Sequence, residues 1–120
     1  MTTKPKEYRL RNSVRKSDLL KAGFILQGSS YVLKTPLCKY MNGENTAIFL
    51  IVAISLKFSE DKPMMAYSIV TDDGYTYPPF YNEMQRENNL VYEEVVNNYN
   101  DIMDRLIERN ILKKGRKHND

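Results

Sequence analysis

The chain has 120 residues, of which 42% are hydrophobic and 28% are charged, and its formal net charge is +3. This length accommodates one domain, and the single cysteine and single histidine exclude an intramolecular disulfide bond and a multi-cysteine zinc site. The sequence has no run of about 18 apolar residues and no apolar signal region after its first six residues, so we expect a cytoplasmic protein without membrane contact.

Basic residues are concentrated at the two ends of the sequence. Residues 1–21 carry a net charge of +5 and residues 113–120 a net charge of +3, which leaves −5 for residues 22–112. Basic arms are typical of proteins that contact nucleic-acid phosphates, and solvated termini are the alternative. The candidate nucleic-acid-binding residues are Lys4, Lys6, Arg9, Arg11, Lys113, Lys114, Arg116 and Lys117. The alternation in Tyr8-Arg9-Leu10-Arg11 also fits an edge strand.

Residues 13–24 have the pattern of a short N-terminal helix. Ser13 or Ser17 can accept hydrogen bonds from the free backbone N–H groups of the first turn. Gly23 can take the left-handed conformation that ends a helix, with Phe24 packing back beyond it. A helix of this length is marginal alone and is expected to dock on the rest of the domain.

The pattern changes to β in residues 24–71. Gly28-Ser29-Ser30 separates two apolar runs and predicts a hairpin turn, and Asn42-Gly43 predicts a second turn. Residues 46–58 are the most apolar segment and predict a central strand that is covered on both faces. Residues 64–71 predict the next strand, and the short separations favour an antiparallel meander.

The segment Y-T-Y-P-P-F-Y, residues 75–81, holds four of the thirteen aromatic residues of the chain. Aromatic side chains on a proline-braced loop are good anchors at a protein interface, and they could also stack on single-stranded bases. The alternative is that they pack as a strand end beneath the last helix. The candidate partner-binding residues are Tyr75, Tyr77, Phe80 and Tyr81.

A long helix is predicted near the C-terminus, because apolar residues recur there at helical spacing. The stripe consists of Tyr92, Val95, Val96, Tyr99, Ile102, Met103, Leu106 and Ile107. Asn88 or Asn89 can cap the start of this helix, and Asn110 is suited to a left-handed residue at its end. We expect one domain over residues 1–112, followed by a disordered basic tail over residues 113–120.

Few residues suggest catalysis or metal binding. His118 lies near the end of the chain, where it would be a poor general base, and Cys38 is typical of a small half-buried apolar residue. Asp72-Asp73 could hold a hard cation together with Glu60-Asp61, but such acidic pairs are common turn residues. The sequence contains neither a Walker loop nor a G-x-G-x-x-G motif. We therefore expect a protein that is not an enzyme, with no metal site and no cofactor.

One family resemblance rests on the order of these segments. The run D-L-L-K-A-G-F is followed by a tyrosine-bearing hairpin, an apolar strand, an aromatic-proline turn and a long helix that ends in N-I-L. This order resembles small uncharacterised proteins of Gram-positive phages and mobile elements, over residues 10–112 and as a pattern only. The resemblance implies an accessory role in a bacterial cell and carries over no functional residues.

Together these patterns predict an α+β fold with a short N-terminal helix, an antiparallel sheet of about four strands and a long C-terminal helix packed on one face. The predicted function is protein–protein binding by a non-enzymatic module, with nucleic-acid binding as the alternative. The identity of any protein partner does not follow from the sequence.

The central strand also predicts a homodimer. Period 2 assigns two sets of residues to its two faces: Ile48, Leu50, Val52, Ile54 and Leu56 to one, and Ala47, Phe49, Ile51, Ala53 and Ser55 to the other. The C-terminal helix can cover only one face, and the N-terminal helix could shield part of the second. Phe49 and Ile51 would still lie on an apolar patch, and a symmetric dimer is a common way to cover such a patch.

Overall fold

A computed structural model describes residues 4–38, 47–59 and 62–115 of the chain. Within these residues, three helices and two antiparallel sheets form an α+β fold, which confirms the predicted class. The elements are β1 (Tyr8–Leu10), α1 (Lys16–Lys21), β2 (Ile25–Gln27), β3 (Ser30–Cys38), β4 (Ile48–Ser59), β5 (Lys62–Thr71), α2 (Pro78–Tyr81), a 3-10 turn (Glu83–Gln85), α3 (Leu90–Glu108) and β6 (Leu112–Lys114). The predicted fold had two helices and one sheet, so the short helix α2 and the sheet formed by β1 and β6 are additional to the prediction.

The larger sheet is the expected antiparallel meander, with the strand order β2-β3-β4-β5. Its central strand β4 alternates as period 2 requires. The four residues that face α3 are each 0% exposed, whereas their neighbours on the opposite face are only half-buried. The buried four are Ile48, Leu50, Val52 and Ile54. The predicted turn at Asn42-Gly43 lies outside the described residues.

The long C-terminal helix is confirmed as α3, which packs against β3 and β6. Asn89 caps its start, because the Asn89 side chain accepts a hydrogen bond of 3.0 Å from the Tyr92 backbone N–H. Asn110 follows its end with a left-handed φ of 65°. The centre of the predicted apolar stripe is fully buried, with Val95, Val96 and Tyr99 in the core. No helix in the described part of the chain is long and apolar enough to cross a membrane.

The N-terminal helix α1 is shorter than the predicted residues 13–24. It begins after Arg15, whose backbone N–H donates a 3.0 Å hydrogen bond to the Asp18 carboxylate, so neither predicted serine is the cap. Gly23 adopts a φ of 99° beyond the helix, and the Phe24 N–H then donates to the Leu19 carbonyl at 3.0 Å. This C-terminal geometry confirms the predicted end of the helix.

Helix α1 lies on the same side of the larger sheet as α3. Arg109, directly after α3, donates from Nη1 to the Lys21 carbonyl at 3.2 Å. The buried residue of α1, Leu19, joins the core that α3 and the sheet enclose. The expectation that α1 could shield the opposite face is therefore wrong, because its buried apolar residue, Leu19, packs on the α3 side.

Strands β1 and β6 form a two-stranded antiparallel ribbon that joins the two ends of the chain. The register pairs Tyr8 with Lys114, Arg9 with Lys113 and Leu10 with Leu112. Lys113 and Lys114, which the sequence assigns to a disordered tail, therefore belong to a strand. The burial of Leu112 beside α3 anchors this strand. Residues 116–120 of the predicted tail lie outside the described residues.

Candidate binding surfaces

The four predicted partner-binding aromatic residues divide between the core and the surface. Tyr77 and Phe80 are 3% and 6% exposed, whereas Tyr75 and Tyr81 are 73% and 52% exposed. Phe80 packs edge-on against Tyr99 of α3, with ring centroids 5.1 Å apart. Tyr77 and Phe80 therefore pack in the core beneath the last helix, which was the alternative to partner binding. A direct contact with a partner stays a prediction for Tyr75 and Tyr81.

The segment from Tyr75 to Tyr81 covers one end of the β5 edge. The Thr71 N–H donates to the Tyr75 carbonyl at 2.8 Å, and the Tyr77 N–H donates to the Ile69 carbonyl at 2.9 Å. The Ile69 N–H donates to the Tyr81 hydroxyl at 2.9 Å. Since an uncovered edge strand is a template for unwanted pairing, these bonds protect this end of the sheet.

A buried arginine that the sequence analysis missed holds this segment in place. Arg86 donates from Nε to the Pro79 carbonyl at 2.9 Å and from Nη2 to the Phe80 carbonyl at 2.7 Å. Its guanidinium also lies 5.1 Å from the centroid of the Tyr92 ring, a cation–π distance. Arg86 satisfies two carbonyls near the end of α2, which is a structural role rather than a binding role.

Buried tyrosines surround the same region. Burial raises the pKa of Tyr77 to about 12, while a hydrogen bond with Asn89 opposes the rise. Burial is also the largest cause that raises the pKa of the Tyr8, Tyr92 and Tyr99 hydroxyls above the ordinary value of 10.0. All four hydroxyls therefore stay protonated to a higher pH than an exposed tyrosine does.

The predicted nucleic-acid-binding residues have different surroundings. Lys6 lies 3.6 Å from the Asp104 carboxylate of α3. Lys4 lines a surface pocket together with the carboxylate residues Glu87 and Glu93. Four other residues of the predicted nucleic-acid-binding set lie within the described part of the chain, and the ribbon brings them together. They are Arg9, Arg11, Lys113 and Lys114. Arg116 and Lys117 lie outside the described residues.

The ribbon has one face toward α3 and one toward solvent. Tyr8 lies on the α3 side, where its hydroxyl donates to the Asp104 carboxylate at 2.9 Å. Period 2 places Arg9 and Arg11 on the opposite face, with Lys113 directly across from Arg9. Arg11 Nε donates to the Leu112 carbonyl at 3.0 Å, which fixes its side chain along the ribbon. Arg9 is exposed, and Arg11 and Lys113 are half-buried. We call this set of three residues the basic ribbon face.

The face of the larger sheet opposite α3 is the third candidate surface, and we call it the open sheet face. Its residues form rows across the strands. One row is apolar on all four strands, and it consists of Ile25, Val32, Ala53 and Ala66. A second row contains Pro36, Phe49 and Val70, and the row between them contains Lys34, Ile51 and Ser68.

None of the described side chains on the open sheet face is buried. Ile25 at one edge and Met64 at the other are 64% and 48% exposed. The Lys34 ammonium lies 4.5 Å from the centroid of the Phe49 ring, so its charge partly covers that aromatic side chain. The assignment of Phe49, Ile51 and Ala53 to this face is confirmed by the register with β3 and β5.

The described residues that the sequence suggested for catalysis or metal binding are buried or bonded to neighbouring groups of the chain. Cys38 is buried at the end of β3. The Asp72 carboxylate accepts the Ala47 backbone N–H at 3.1 Å, and the Asp73 carboxylate accepts the Thr71 hydroxyl. Glu60, Asp61 and His118 lie outside the described residues. Within the described ranges, no group of three or more His, Cys, Asp and Glu side chains is placed to hold a metal ion.

Comparison with known proteins supplies no relative. No family model, no curated protein and no solved structure matches the chain.

Proposed function

We propose that this chain is a non-enzymatic protein-binding module whose binding surface is the open sheet face. The observation that carries the proposal is the contrast between the two faces of β4. Ile48, Leu50 and Val52 are fully buried beneath α3, whereas Phe49 and Ile51 on the other face are only half-buried, and the Lys34 ammonium lies over the Phe49 ring. A continuous apolar patch on a small domain is typical of an interaction surface.

The side chains of the open sheet face suit a protein partner. Val32, Ile51 and Val70 are branched apolar residues on rigid strands, so a partner that covers them gains buried apolar area at a small cost in side-chain entropy. Exposed Lys62 supplies a charged group near one margin, on the edge strand β5, whereas exposed Lys34 lies between the two apolar rows. A mainly apolar surface with few charged groups is the ordinary composition of the central part of a protein–protein interface.

A photocrosslinker on the open sheet face tests this function in the native host of the protein. Phe49 is replaced by p-benzoylphenylalanine, and the matched control carries the same residue in place of Leu90, an exposed apolar residue at the start of α3. We expect irradiation to give discrete protein adducts from position 49 and none from position 90. No adduct from position 49, or equal labelling from both positions, would exclude this binding surface.

The predicted aromatic segment is secondary in this proposal. Tyr75 and Tyr81 are accessible, but the Tyr75 carbonyl and the Tyr81 hydroxyl already bond to β5. The resemblance to phage and mobile-element proteins fits an accessory protein that acts by binding, and this role is part of the same proposal.

Nucleic-acid binding is the second candidate function, and the basic ribbon face favours it. The β1–β6 pairing places Arg9 and Lys113 side by side, although they lie far apart in the sequence. Two adjacent cations on one face of a ribbon can contact neighbouring phosphates.

Fluorescence anisotropy with labelled single-stranded and double-stranded oligonucleotides at about 50 mM salt tests this second candidate. If phosphates bind the ribbon, the double variant Arg9→Ala/Lys113→Ala should reduce the slope of log K against log salt by about 1.4 to 1.8. The control Lys16→Ala/Lys21→Ala removes two cations from α1 and should leave the slope unchanged. Absence of binding at about 50 mM salt would exclude this candidate.

A further inference from the structure

We propose that the partner of the open sheet face is a second copy of this chain, bound face to face around a two-fold axis that runs along the row Ile25-Val32-Ala53-Ala66. This inference rests on the proposed function, since it names the partner of the same surface. It is carried by the pattern of side chains across the four strands and by the charges at the two ends of β5.

The apolar row is suited to lie on a symmetry axis. A residue on a two-fold axis meets its own copy, so a charged residue there would face a like charge. The row has no charged side chain on any strand, and Ala53 and Ala66 at its β4 and β5 positions are small. Two such rows can therefore approach closely enough for the larger neighbouring side chains to interdigitate.

The rows on either side are complementary under the same rotation. The two-fold rotation places the row Lys34-Ile51-Ser68 of one copy over the row Gln27-Ser30-Ser55-Met64 of the other. Lys34 would then face polar Ser30, and Ile51 would lie over Ser55 beside Met64. The Lys34 residues of the two copies would lie on opposite sides of the axis, so these like charges would not face each other.

The charges at the two ends of β5 favour an axis that runs across the strands rather than along them. Lys62 begins the strand, and the exposed acidic pair Asp72-Asp73 follows its last residue, Thr71. Rotation about the apolar row reverses the strand direction, so it brings Lys62 of one copy toward Asp72 and Asp73 of the other. An axis parallel to the strands would instead keep Lys62 of both copies at one end of the interface and Asp72 and Asp73 of both copies at the other, so the opposite charges would not meet.

The area of the face predicts a weak dimer. Strands about 30 Å long and about 4.8 Å apart present roughly 500 Å² in projection on β3, β4 and β5 together with short β2. Two copies would bury about 1,000 Å² in total, which is near the minimum for a specific interface. We therefore expect a dimer that dissociates in the micromolar range.

Light scattering of the purified chain over about 1 to 200 µM measures the assembly directly. We expect the mass to rise from 14.1 kDa toward twice that value across this range. Ala53→Arg places a charge on the axis and should keep the protein monomeric, while its folding is checked by circular dichroism. The control Glu94→Arg adds an arginine on the exposed side of α3 and should dimerise like the wild type.

Charge reversal tests the orientation of the two copies. Lys62→Glu alone should weaken dimerisation at least tenfold, because the new carboxylate faces the Asp72-Asp73 pair. The double variant Asp72→Lys/Asp73→Lys should weaken it similarly, and the combination of all three substitutions should restore the dimer. The proposed arrangement would be overturned if Ala53→Arg still dimerised. It would also be overturned if the effects of the separate charge reversals on dimerisation simply added in the combined variant.

The outcomes separate this inference from the proposed function. A mass of 14.1 kDa at every concentration, with position-49 adducts to a different protein, would overturn the dimer and leave the binding function standing. A mass of 14.1 kDa without any adduct would overturn both.

Discussion

Arg9 and Lys113 are direct cross-strand partners in the ribbon that joins the two ends of the chain. Both side chains lie on the face of the ribbon that points away from α3. Like charges in directly opposed positions of an antiparallel pair are destabilising. The ribbon nevertheless forms, because Leu10 and Leu112 on its other face pack against the core.

Reversal of one of these charges should stabilise the protein. In Arg9→Glu, an attractive cross-strand pair replaces a repulsive one, and we expect a gain of about 0.2 to 1 kcal/mol in the free energy of unfolding. Urea denaturation at low ionic strength measures the change. The gain should shrink in about 1 M salt, because salt screens exposed charges. An unchanged or lower stability at low salt would contradict the predicted repulsion.

Gly115 should tolerate no larger residue. A Cβ atom at this position would lie 2.6 Å from the Glu7 Cβ and 2.8 Å from the Glu7 carbonyl carbon, far inside van der Waals contact. The Gly115 N–H also donates to the Glu7 carbonyl at 2.9 Å, so the two backbones are held together. We expect Gly115→Ala to cost about 1 to 3 kcal/mol by displacing the end of β1.

Hydrogen exchange measures where Gly115→Ala acts. Amides of β1 and β6 should lose protection, while those of β4 keep it. The control Gly28→Ala has open space around its Cβ position, although its φ of 63° adds backbone strain. Loss of protection confined to the β2–β3 hairpin is expected for this control. Unchanged protection of β1 in Gly115→Ala would show that the ribbon accommodates the methyl group.

Local periodicity made much of the fold predictable. The alternation in β4 and the apolar stripe of α3 are properties of neighbouring residues, and they identify which side chains are buried. The helix ends at Gly23 and Asn110 were predictable because both positions require a left-handed backbone.

The rest depends on contacts between distant residues. The ribbon pairs Tyr8 with Lys114. Strands of three residues are too short for their alternation of apolar and polar residues to predict which strands pair. The burial of Tyr77 and the exposure of Tyr75 follow from the way their segment bonds to β5, which residue type alone does not reveal. The buried role of Arg86 likewise depends on two carbonyls that fold back onto it.

Phe80 and Tyr75 should differ sharply in their contribution to stability. Phe80→Ala removes a buried ring that packs against Tyr99 and Tyr81, and we expect it to cost about 3 to 5 kcal/mol. Tyr75→Ala removes a largely exposed side chain and should cost less than about 0.5 kcal/mol. Thermal and urea unfolding measure both. Similar losses for the two variants would contradict the division of the aromatic segment between core and surface.

Alkaline pH should unfold the protein through its buried tyrosines. Burial raises the pKa of Tyr77 to about 12 in the folded state, against about 10 in the unfolded chain. The pKa values of Tyr8, Tyr92 and Tyr99 are also raised. Above pH 10 the unfolded chain therefore binds fewer protons than the folded one, and the free energy of unfolding falls as the pH rises. Below pH 10 these groups leave it unchanged.

The slope of the free energy of unfolding against pH gives the number of tyrosines that stay protonated in the folded state. Each one contributes at most about 1.4 kcal/mol per pH unit once its unfolded form is ionised. Urea denaturation between pH 8 and about pH 11 measures the slope, and absorbance at 295 nm reports tyrosinate formation. Tyr99→Phe keeps the ring beside Tyr8 and Phe80 but removes one ionisable hydroxyl, so it should flatten the slope by one tyrosine. If the slope of Tyr99→Phe matches that of the wild type, the Tyr99 hydroxyl ionises equally well in the folded state and the burial account of its raised pKa fails.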